Sequence, residues 1–206
     1  MLLGYSRASA NFLLAGLAIT FPVAAQINPA IRLHPIPRFS LTADSLVIRR
    51  AVEPQKPFTV AGPSSALLGE QSGELEAWLF PVKILNQLAI TAELTNYGAP
   101  IDVNAQGAEI EVTPAMTTIT YSHAAFTIKQ HMFTPRSPSA PGLDVLFEIA
   151  SVRPLELAVS FRPEMRLMWP APNSGIPSAE WNRESGYYVL HTDNPAYSAA
   201  VAIPGA

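Results

Sequence analysis

Apolar and polar residues alternate in short runs along most of this chain, and prolines and glycines separate the runs. The clearest runs are residues 143–149 and 155–161, in which every second residue is apolar. A period of two places these apolar residues on one face of a β-strand. Both runs therefore predict strands with one buried face. The link between them, residues 151–154, is short enough for a hairpin or for a corner.

The same pattern predicts further strands along the chain. A first strand pair is predicted across residues 39–50, and a long loop rich in proline, glycine and serine is predicted for residues 53–73. The other predicted strands are residues 74–80, 88–94, 108–112, 117–121, 126–133, 186–192 and 198–203. Strands spaced by roughly 8–12 residues, without sustained helical periodicity, are typical of an antiparallel β-sandwich. The sequence thus predicts an all-β fold in which residues 39–206 form one sandwich domain.

The N-terminus has the pattern of an export signal. Arg7 precedes an apolar run at residues 12–21, and Val23-Ala24-Ala25 supplies the pattern of a cleavage site. The apolar run is too short to span a bilayer comfortably, and the alternative is a buried or membrane-anchoring helix. We predict that a signal peptide of residues 1–25 is removed and that residues 26–38 form an extended lead-in. The protein would then be periplasmic or extracellular.

Composition and charge exclude some classes of function. Hydrophobic residues make up 49% of the 206 residues, which is enough to build the core of one domain. The net charge of −3 argues against a nucleic-acid partner, because no excess of basic residues is present to neutralise phosphates. Cysteine is absent, so no disulfide can stabilise the exported domain and its core alone must hold it together.

The sequence contains no recognisable catalytic or metal-binding motif. The four histidines form no close pair with the spacing of metal ligands, and Ser72 does not lie in a nucleophile elbow. Glu74 and Glu76 would share one face of a strand about 6.6 Å apart, which is near the separation that glycosidases use. Glu109 and Glu111 have the same spacing, so a solvated acidic face is the simpler interpretation. We assign no catalytic residue, no metal and no cofactor.

Three tryptophans are candidates for binding. Trp78 shares strand parity with Glu74 and Glu76, and an aromatic ring beside carboxylates can bind a sugar by stacking and by hydrogen bonds to hydroxyls. Trp169 lies in a loop stiffened by two prolines, and Trp181 follows it. Large aromatics are more often buried than displayed. The alternatives are that Trp78 packs under a neighbouring loop or domain and that Trp169 closes the end of the sandwich.

Two segments carry a resemblance to a known family. Residues 69–82 read GEQSGELEAWLFPV, and residues 162–172 read RPEMRLMWPAP. With the predicted strands between them, they resemble the supersandwich-like N-terminal domain of bacterial glycogen-debranching-like proteins of the six-hairpin glycosidase superfamily. The resemblance covers nearly all of residues 39–206. In that family an (α/α)6 barrel follows the β-domain and carries the acid and base carboxylates, and nothing in this sequence predicts such a barrel.

The resemblance implies an accessory front domain of an exported carbohydrate-active glycoside hydrolase. Such a domain would support or rim the active site of a following (α/α)6 catalytic domain, and its other partner would be an oligo- or polysaccharide such as an α-glucan. The residues expected at the carbohydrate-binding or interdomain surface are Trp78, Glu76, Glu74, Trp169 and Trp181. Two alternatives stay open: an independent carbohydrate-binding module, and a structural envelope sandwich without a ligand.

Overall fold

The structure is a computed structural model that describes the backbone of residues 8–15 and all atoms of residues 46–135, 141–168, 175–194 and 196–203. Its strands in chain order are β1 (Ala8–Ala15), β2 (Ile48–Ala51), β3 (Pro57–Ala61), β4 (Ser65–Glu70), β5 (Leu75–Leu79), β6 (Val82–Leu94), β7 (Ile101–Asp102), β8 (Gly107–Val112), β9 (Thr117–His123), β10 (Phe126–Phe133), β11 (Gly142–Ser151), β12 (Leu155–Leu167), β13 (Ser178–Asn182), β14 (Tyr187–His191) and β15 (Ser198–Ala202). Apart from a short 3-10 turn at Asn104–Gln106, these ranges contain no helix. The all-β prediction is confirmed.

The strands form two antiparallel sheets. One sheet has nine strands in the order β13-β14-β15-β1-β11-β10-β9-β8-β2. The other has the order β12-β6-β5-β4-β3, with the two-residue strand β7 paired to β6. One apolar cluster draws residues from both sheets, among them the fully buried Ile90, Ile128 and Phe147. The inner faces of the two sheets therefore pack together as in a sandwich.

Alternating burial along the strands explains how this sequence builds the core. In β10, Phe126, Ile128, Gln130 and Met132 are buried on one face, while the residues that alternate with them are more exposed. β5 follows the same rule, because Leu75, Ala77 and Leu79 are buried and the intervening Glu76 and Trp78 are partly exposed. Each strand thus contributes every second side chain to the core and leaves the others for the outer face of its sheet.

The link between β11 and β12 is a corner. β11 lies between β1 and β10 in the nine-stranded sheet, whereas β12 pairs with β6 at the edge of the other sheet. The chain therefore crosses from one sheet to the other over Val152 to Pro154. The short link allowed a hairpin or a corner, and the structure has the corner, which connects the two sheets.

The prediction of a long loop over residues 53–73 is wrong. This segment contains β3 and β4, which pair with each other and continue the six-stranded sheet through β5. Phe58 and Val60 are buried at alternate positions of β3. Pro57 begins this strand, and β3 is the edge of its sheet, so the missing N–H of proline is tolerated there. Prolines, glycines and serines in this segment thus mark the turns around two short strands.

Strand β1 falls inside the predicted signal peptide. It pairs with β11 from Ala8↔Ile149 to Ala15↔Gly142 and meets β15 at Leu13↔Ala202. Removal of residues 1–25 would remove this strand, so cleavage remains a prediction with a structural consequence. The predicted lead-in, residues 26–38, and the first part of the predicted strand pair, residues 39–45, lie outside the described residues.

A buried polar contact anchors the turn between β4 and β5. The Tyr121 hydroxyl donates a hydrogen bond to Gln130 Oε1 at 2.5 Å, and both side chains are fully buried. Burial raises the pKa of the Tyr121 hydroxyl, which therefore stays protonated as a donor. Gly73, in the turn, has φ of +92°, and a Cβ atom there would lie 1.7 Å from the Tyr121 hydroxyl oxygen. The turn can approach β9 only because residue 73 has no side chain.

We expect Gly73→Ala to lower the free energy of unfolding by about 3 kcal/mol or more, because left-handed strain and a steric clash add. Gly186→Ala has a positive φ of +68° but no neighbour within 4 Å of the added Cβ, so it should cost about 1 kcal/mol. Gly98→Ala has neither constraint and should stay within about 0.5 kcal/mol of the parent. Urea unfolding of the three variants measures the series, and equal losses for Gly73→Ala and Gly186→Ala would contradict the clash.

Candidate functional site

The candidate residues lie on two separate surfaces. Glu74, Glu76 and Trp78 belong to β5 or the turn before it, on the outer face of the six-stranded sheet. Trp181 lies on β13, the edge strand of the nine-stranded sheet. Trp169 lies outside the described residues. The structure thus brings together three of the predicted residues and places Trp181 in a different sheet.

Trp78, Glu76 and Lys83 form a closed polar cluster. The Trp78 indole Nε1 donates a hydrogen bond to Glu76 Oε1 at 2.8 Å, and Lys83 Nζ lies 2.6 Å from Glu76 Oε2. The same ammonium lies 5.2 Å from the centroid of the Trp78 ring, within the range of a cation–π contact. Both oxygens of Glu76 and one face of the indole are therefore occupied by neighbours. This arrangement suits a structural surface better than a sugar-stacking platform.

The β5–β6 hairpin creates this cluster. Leu79 pairs with Val82 across the turn, and Trp78 therefore lies directly opposite Lys83. Directly opposed residues of antiparallel strands share a face and have close Cβ atoms. Sequence analysis missed Lys83 because the partner of a strand residue depends on register. The tight turn at Phe80-Pro81 is the signal that could have identified it.

Glu74 lies in an open acidic groove beside that cluster. The polar side chains that line the groove are those of Glu70, Glu74, Glu76, Asn86 and Gln87. On its far side, Asn86 Nδ2 donates a hydrogen bond to Glu164. Both carboxylate oxygens of Glu76 are contacted, one by Trp78 and the other by Lys83. Glu74 and Glu76 therefore differ in their surroundings, because the pairing of β5 with β6 places Lys83 beside Glu76.

Trp181 belongs to an exposed surface that we call the aromatic surface, defined by Phe161, Tyr188 and Trp181. Trp181 and Tyr188 are directly opposed on β13 and β14, and their ring centroids lie 4.9 Å apart at an angle of 60°. Tyr188 meets Phe161 of β12 edge to face, with centroids 6.2 Å apart. Trp181 is 54% exposed and Tyr188 is 39% exposed. Exposed aromatic rings that contact each other on an edge strand form a candidate contact surface.

The aromatic surface lies on the inner face of the nine-stranded sheet, at the place where the six-stranded sheet no longer covers it. Leu190, two residues from Tyr188 and thus on the same face of β14, is fully buried in the core. The neighbouring inner face of β12 is only partly covered, and its half-buried residues are Leu155, Leu157, Val159 and Phe161. Strand β12 is the last strand of its sheet. The core therefore opens to solvent along this side.

Polar side chains on β13 and β14 lie on the opposite face from the aromatic surface. His191 Nε2 lies 3.3 Å from Glu180 Oε1, and the Ser178 hydroxyl lies within 3.2 Å of the same imidazole. Ser178 and His191 are directly opposed, and Glu180 lies two residues from Ser178. Because successive side chains of a strand point to opposite faces, all three lie on the opposite face of the sheet from Trp181. A ligand on the aromatic surface would therefore meet rings and aliphatic side chains more than carboxylates.

The histidines and carboxylates of the described ranges do not cluster as metal ligands. They form no group of three or more histidine, aspartate or glutamate side chains placed to hold a metal ion. His131 is tied to its strand neighbours, because its Nδ1 lies 3.0 Å from the Thr118 hydroxyl and its Nε2 lies 3.6 Å from Glu148. These contacts give the side chain a structural role in the sheet.

Comparison with protein-family models, with curated proteins and with solved structures found no match to this chain. Within the residues that the structure describes, no helix is long and apolar enough to cross a membrane.

We expect a double-mutant cycle of Glu76→Gln and Lys83→Met to give a coupling of about 1 kcal/mol in unfolding free energy, because the pair combines ionic and cation–π contacts. Both side chains are mostly buried, with exposures of 29% and 17%, so solvent screens the pair only in part. The Arg50–Glu53 pair, at 3.3 Å with about half of each side chain exposed, is the matched control. Its cycle of Arg50→Met and Glu53→Gln should show no measurable coupling. Equal coupling energies in the two cycles would contradict the stabilising role of the Glu76–Lys83 pair.

Proposed function

We propose that this chain is an accessory β-sandwich domain of an exported carbohydrate-active glycoside hydrolase and that its aromatic surface contacts the catalytic domain. The observation that carries the proposal is the open side of the core, where Trp181 and Tyr188 stay exposed although they extend the buried face of their sheet. Leaving such rings in water is unfavourable. A second domain that covers them would recover this free energy.

The chemistry of the two candidate surfaces favours a supporting role over catalysis. Glu76 has both oxygens contacted by Trp78 and Lys83, so the side chain is engaged in contacts within the domain. The aromatic surface presents the tilted rings of Trp181 and Tyr188 and the aliphatic edge of β12. Apolar, aromatic-rich patches are typical of the centres of protein interfaces. A catalytic (α/α)6 domain, as the family resemblance implies, is the partner that we propose.

A carbohydrate-binding module is the second candidate, and the exposure of Trp181 favours it. A half-exposed indole on a rigid edge strand can stack on a sugar ring. Its 60° tilt against Tyr188 gives no flat platform of two coplanar rings. The Ser178, Glu180 and His191 cluster on the other face of the strand is not placed to orient hydroxyl groups on that indole. The geometry therefore ranks this function second.

The intact mass and N-terminal sequence of the native polypeptide, isolated from its source cells, test the proposal first. We expect a secreted or periplasmic product that begins at Gln26 and is much longer than residues 26–206, because the catalytic carboxylates must lie on another part of the hydrolase. Inhibition of signal peptidase is the control and should leave residues 1–25 on the product. A mature product of only residues 26–206 would remove the hydrolase interpretation and favour a binding or structural sandwich.

Replacement of the exposed rings tests the contact surface itself. In the isolated chain, Trp181→Ala should change the unfolding free energy by less than about 1 kcal/mol, because about half of the indole is exposed. In the complete hydrolase, the same change should weaken the association of the two domains by about 2 kcal/mol, as for a buried interface tryptophan. Thermal unfolding and limited proteolysis between the domains provide the measurements.

The control is Val152→Ala, because Val152 is 73% exposed in the link between β11 and β12, away from the aromatic surface. It should leave both the isolated chain and the complete hydrolase unchanged. Affinity electrophoresis in a soluble α-glucan distinguishes the second candidate. Retardation of the isolated chain that disappears in Trp181→Ala would assign the aromatic surface to sugar binding and overturn the interdomain role.

A further inference from the structure

A small cavity lies at one end of the sandwich, between the edge strand β3 and the turn that joins β8 to β9. Its volume is about 150 Å³. Residues 59–63 form one wall, residues 113–117 form another, and Thr134 contributes from the end of β10. The cavity shares no residue with the acidic groove or with the aromatic surface. We call it the threonine pocket, defined by Thr59, Thr113, Thr117 and Thr134.

Hydrogen bonds and close packing hold the walls of the threonine pocket. In the β8–β9 turn, the Thr113 hydroxyl oxygen accepts the N–H of Met116 at 3.1 Å, and the Thr113 N–H donates to the Met116 carbonyl at 2.9 Å. On the other wall, a Cβ atom added to Gly62 would lie 2.6 Å from the Thr134 hydroxyl oxygen. The β3–β4 turn therefore packs tightly against the end of β10. A ligand would meet a preformed site and would order few protein groups on binding.

Thr117 places a buried hydroxyl in the pocket without a partner. The residue is 2% exposed, and it shares the inner face of β9 with Ile119. Its hydroxyl makes no hydrogen bond with another described residue, whereas the hydroxyl of the adjacent Thr118 lies 3.0 Å from His131 Nδ1. A buried hydroxyl that lacks a hydrogen-bond partner is unfavourable. A ligand with hydroxyl groups of its own can supply the missing partner.

The open edge of β3 adds backbone groups to the lining. β3 pairs with β4 on one side and forms the edge of its sheet. Alternate N–H and C=O groups of an edge strand point away from its partner strand. Val60 and Met116 add apolar surface, and none of the described lining residues has a charged side chain. This lining suits a neutral ligand that carries hydroxyl groups beside C–H groups.

We propose that the threonine pocket binds one ring of a neutral sugar. Ring hydroxyls exchange hydrogen bonds with Thr117, Thr59 and the free edge of β3, and the C–H groups pack on Val60 and Met116. The cavity is smaller than the roughly 300–1,000 Å³ of pockets for drug-sized ligands, so it takes a single ring. A charged sugar would lose its hydration without meeting a counter-charge. The site goes beyond the interdomain role of the aromatic surface and does not depend on it.

The test is an NMR titration of the nitrogen-15-labelled chain of 206 residues, with methyl α-D-glucopyranoside as the neutral probe. Amide shifts in residues 59–63 and 113–117 should saturate with a dissociation constant on the order of 1 mM, because a small site offers few contacts. D-glucuronate, which has the same ring with a carboxylate, is the matched control ligand. It should bind at least about tenfold more weakly.

Thr117→Val removes the buried hydroxyl and keeps the β-branched shape of the side chain. It should weaken binding about fivefold, as for the loss of one neutral hydrogen bond, and it should not lower the free energy of unfolding. Thr120→Val is the matched control and should bind as the parent does, because Thr120 lies on the other face of β9. Thr59→Val is a second pocket variant, and it should also weaken binding if Thr117→Val does not fold. Trp181→Ala should leave this binding unchanged.

Four results would overturn the proposal. The first is the absence of saturable shifts at a probe concentration about a hundredfold above the expected dissociation constant. The second is equal affinity for D-glucuronate, which would remove the selection for a neutral ring. The third is unchanged binding in both Thr117→Val and Thr59→Val, which would place the probe elsewhere. The fourth is a set of shifts confined to Trp181 and Tyr188, which would assign sugar binding to the aromatic surface.

Discussion

Backbone pairing is the constraint on which the rest of this structure depends. Each strand buries alternate side chains between the two sheets, and each edge of a sheet must then be paired or protected. β2 protects its edge with Arg49, which contacts Glu109 and Glu111 of β8. β3 begins with a proline, and β12 has irregular register and contains Pro163. β13, the remaining edge, instead displays Trp181. Charge, proline or irregular register thus protects three of the sheet edges, whereas the edge at β13 exposes an aromatic side chain.

The two faces of the six-stranded sheet show why the candidate residues differ in character. On its outer face, the β5–β6 hairpin joins Trp78, Glu76 and Lys83, so that the charges of Glu76 and Lys83 pair with each other. On its inner face, the six-stranded sheet ends at β12, while the nine-stranded sheet extends further. Phe161 of β12 contacts Tyr188 at this boundary. A partner that covers the paired cluster of Trp78, Glu76 and Lys83 gains little binding free energy, whereas burial of the exposed rings is favourable. The open side is therefore the stronger candidate for recognition.

The sequence predicted what depends on local periodicity and missed what depends on long-range pairing. Residues 126–133 alternate clearly, and β10 occupies the same range. β3 and β4 were missed because each is short and lies among prolines and glycines that more often mark loops. β7 and β13 were missed as well, and neither has a buried alternation of its own beyond one residue. For the candidate surfaces, the sequence named Trp78 and Trp181 as candidates but not Lys83, Tyr188 or Phe161, because register and sheet order bring those neighbours together.

The sheet order links the aromatic surface to the rest of the fold. Among the described strands, β13, β14 and β15 join the rest of the nine-stranded sheet through β1, which meets β15 at a single register pair. Their remaining attachment is the packing of buried residues such as Leu190 and Val201 against the core. The position of β14, and with it the rings of Tyr188 and Trp181, therefore depends on both contacts. Rings that are already held in place by the sheet lose less entropy when a partner covers them.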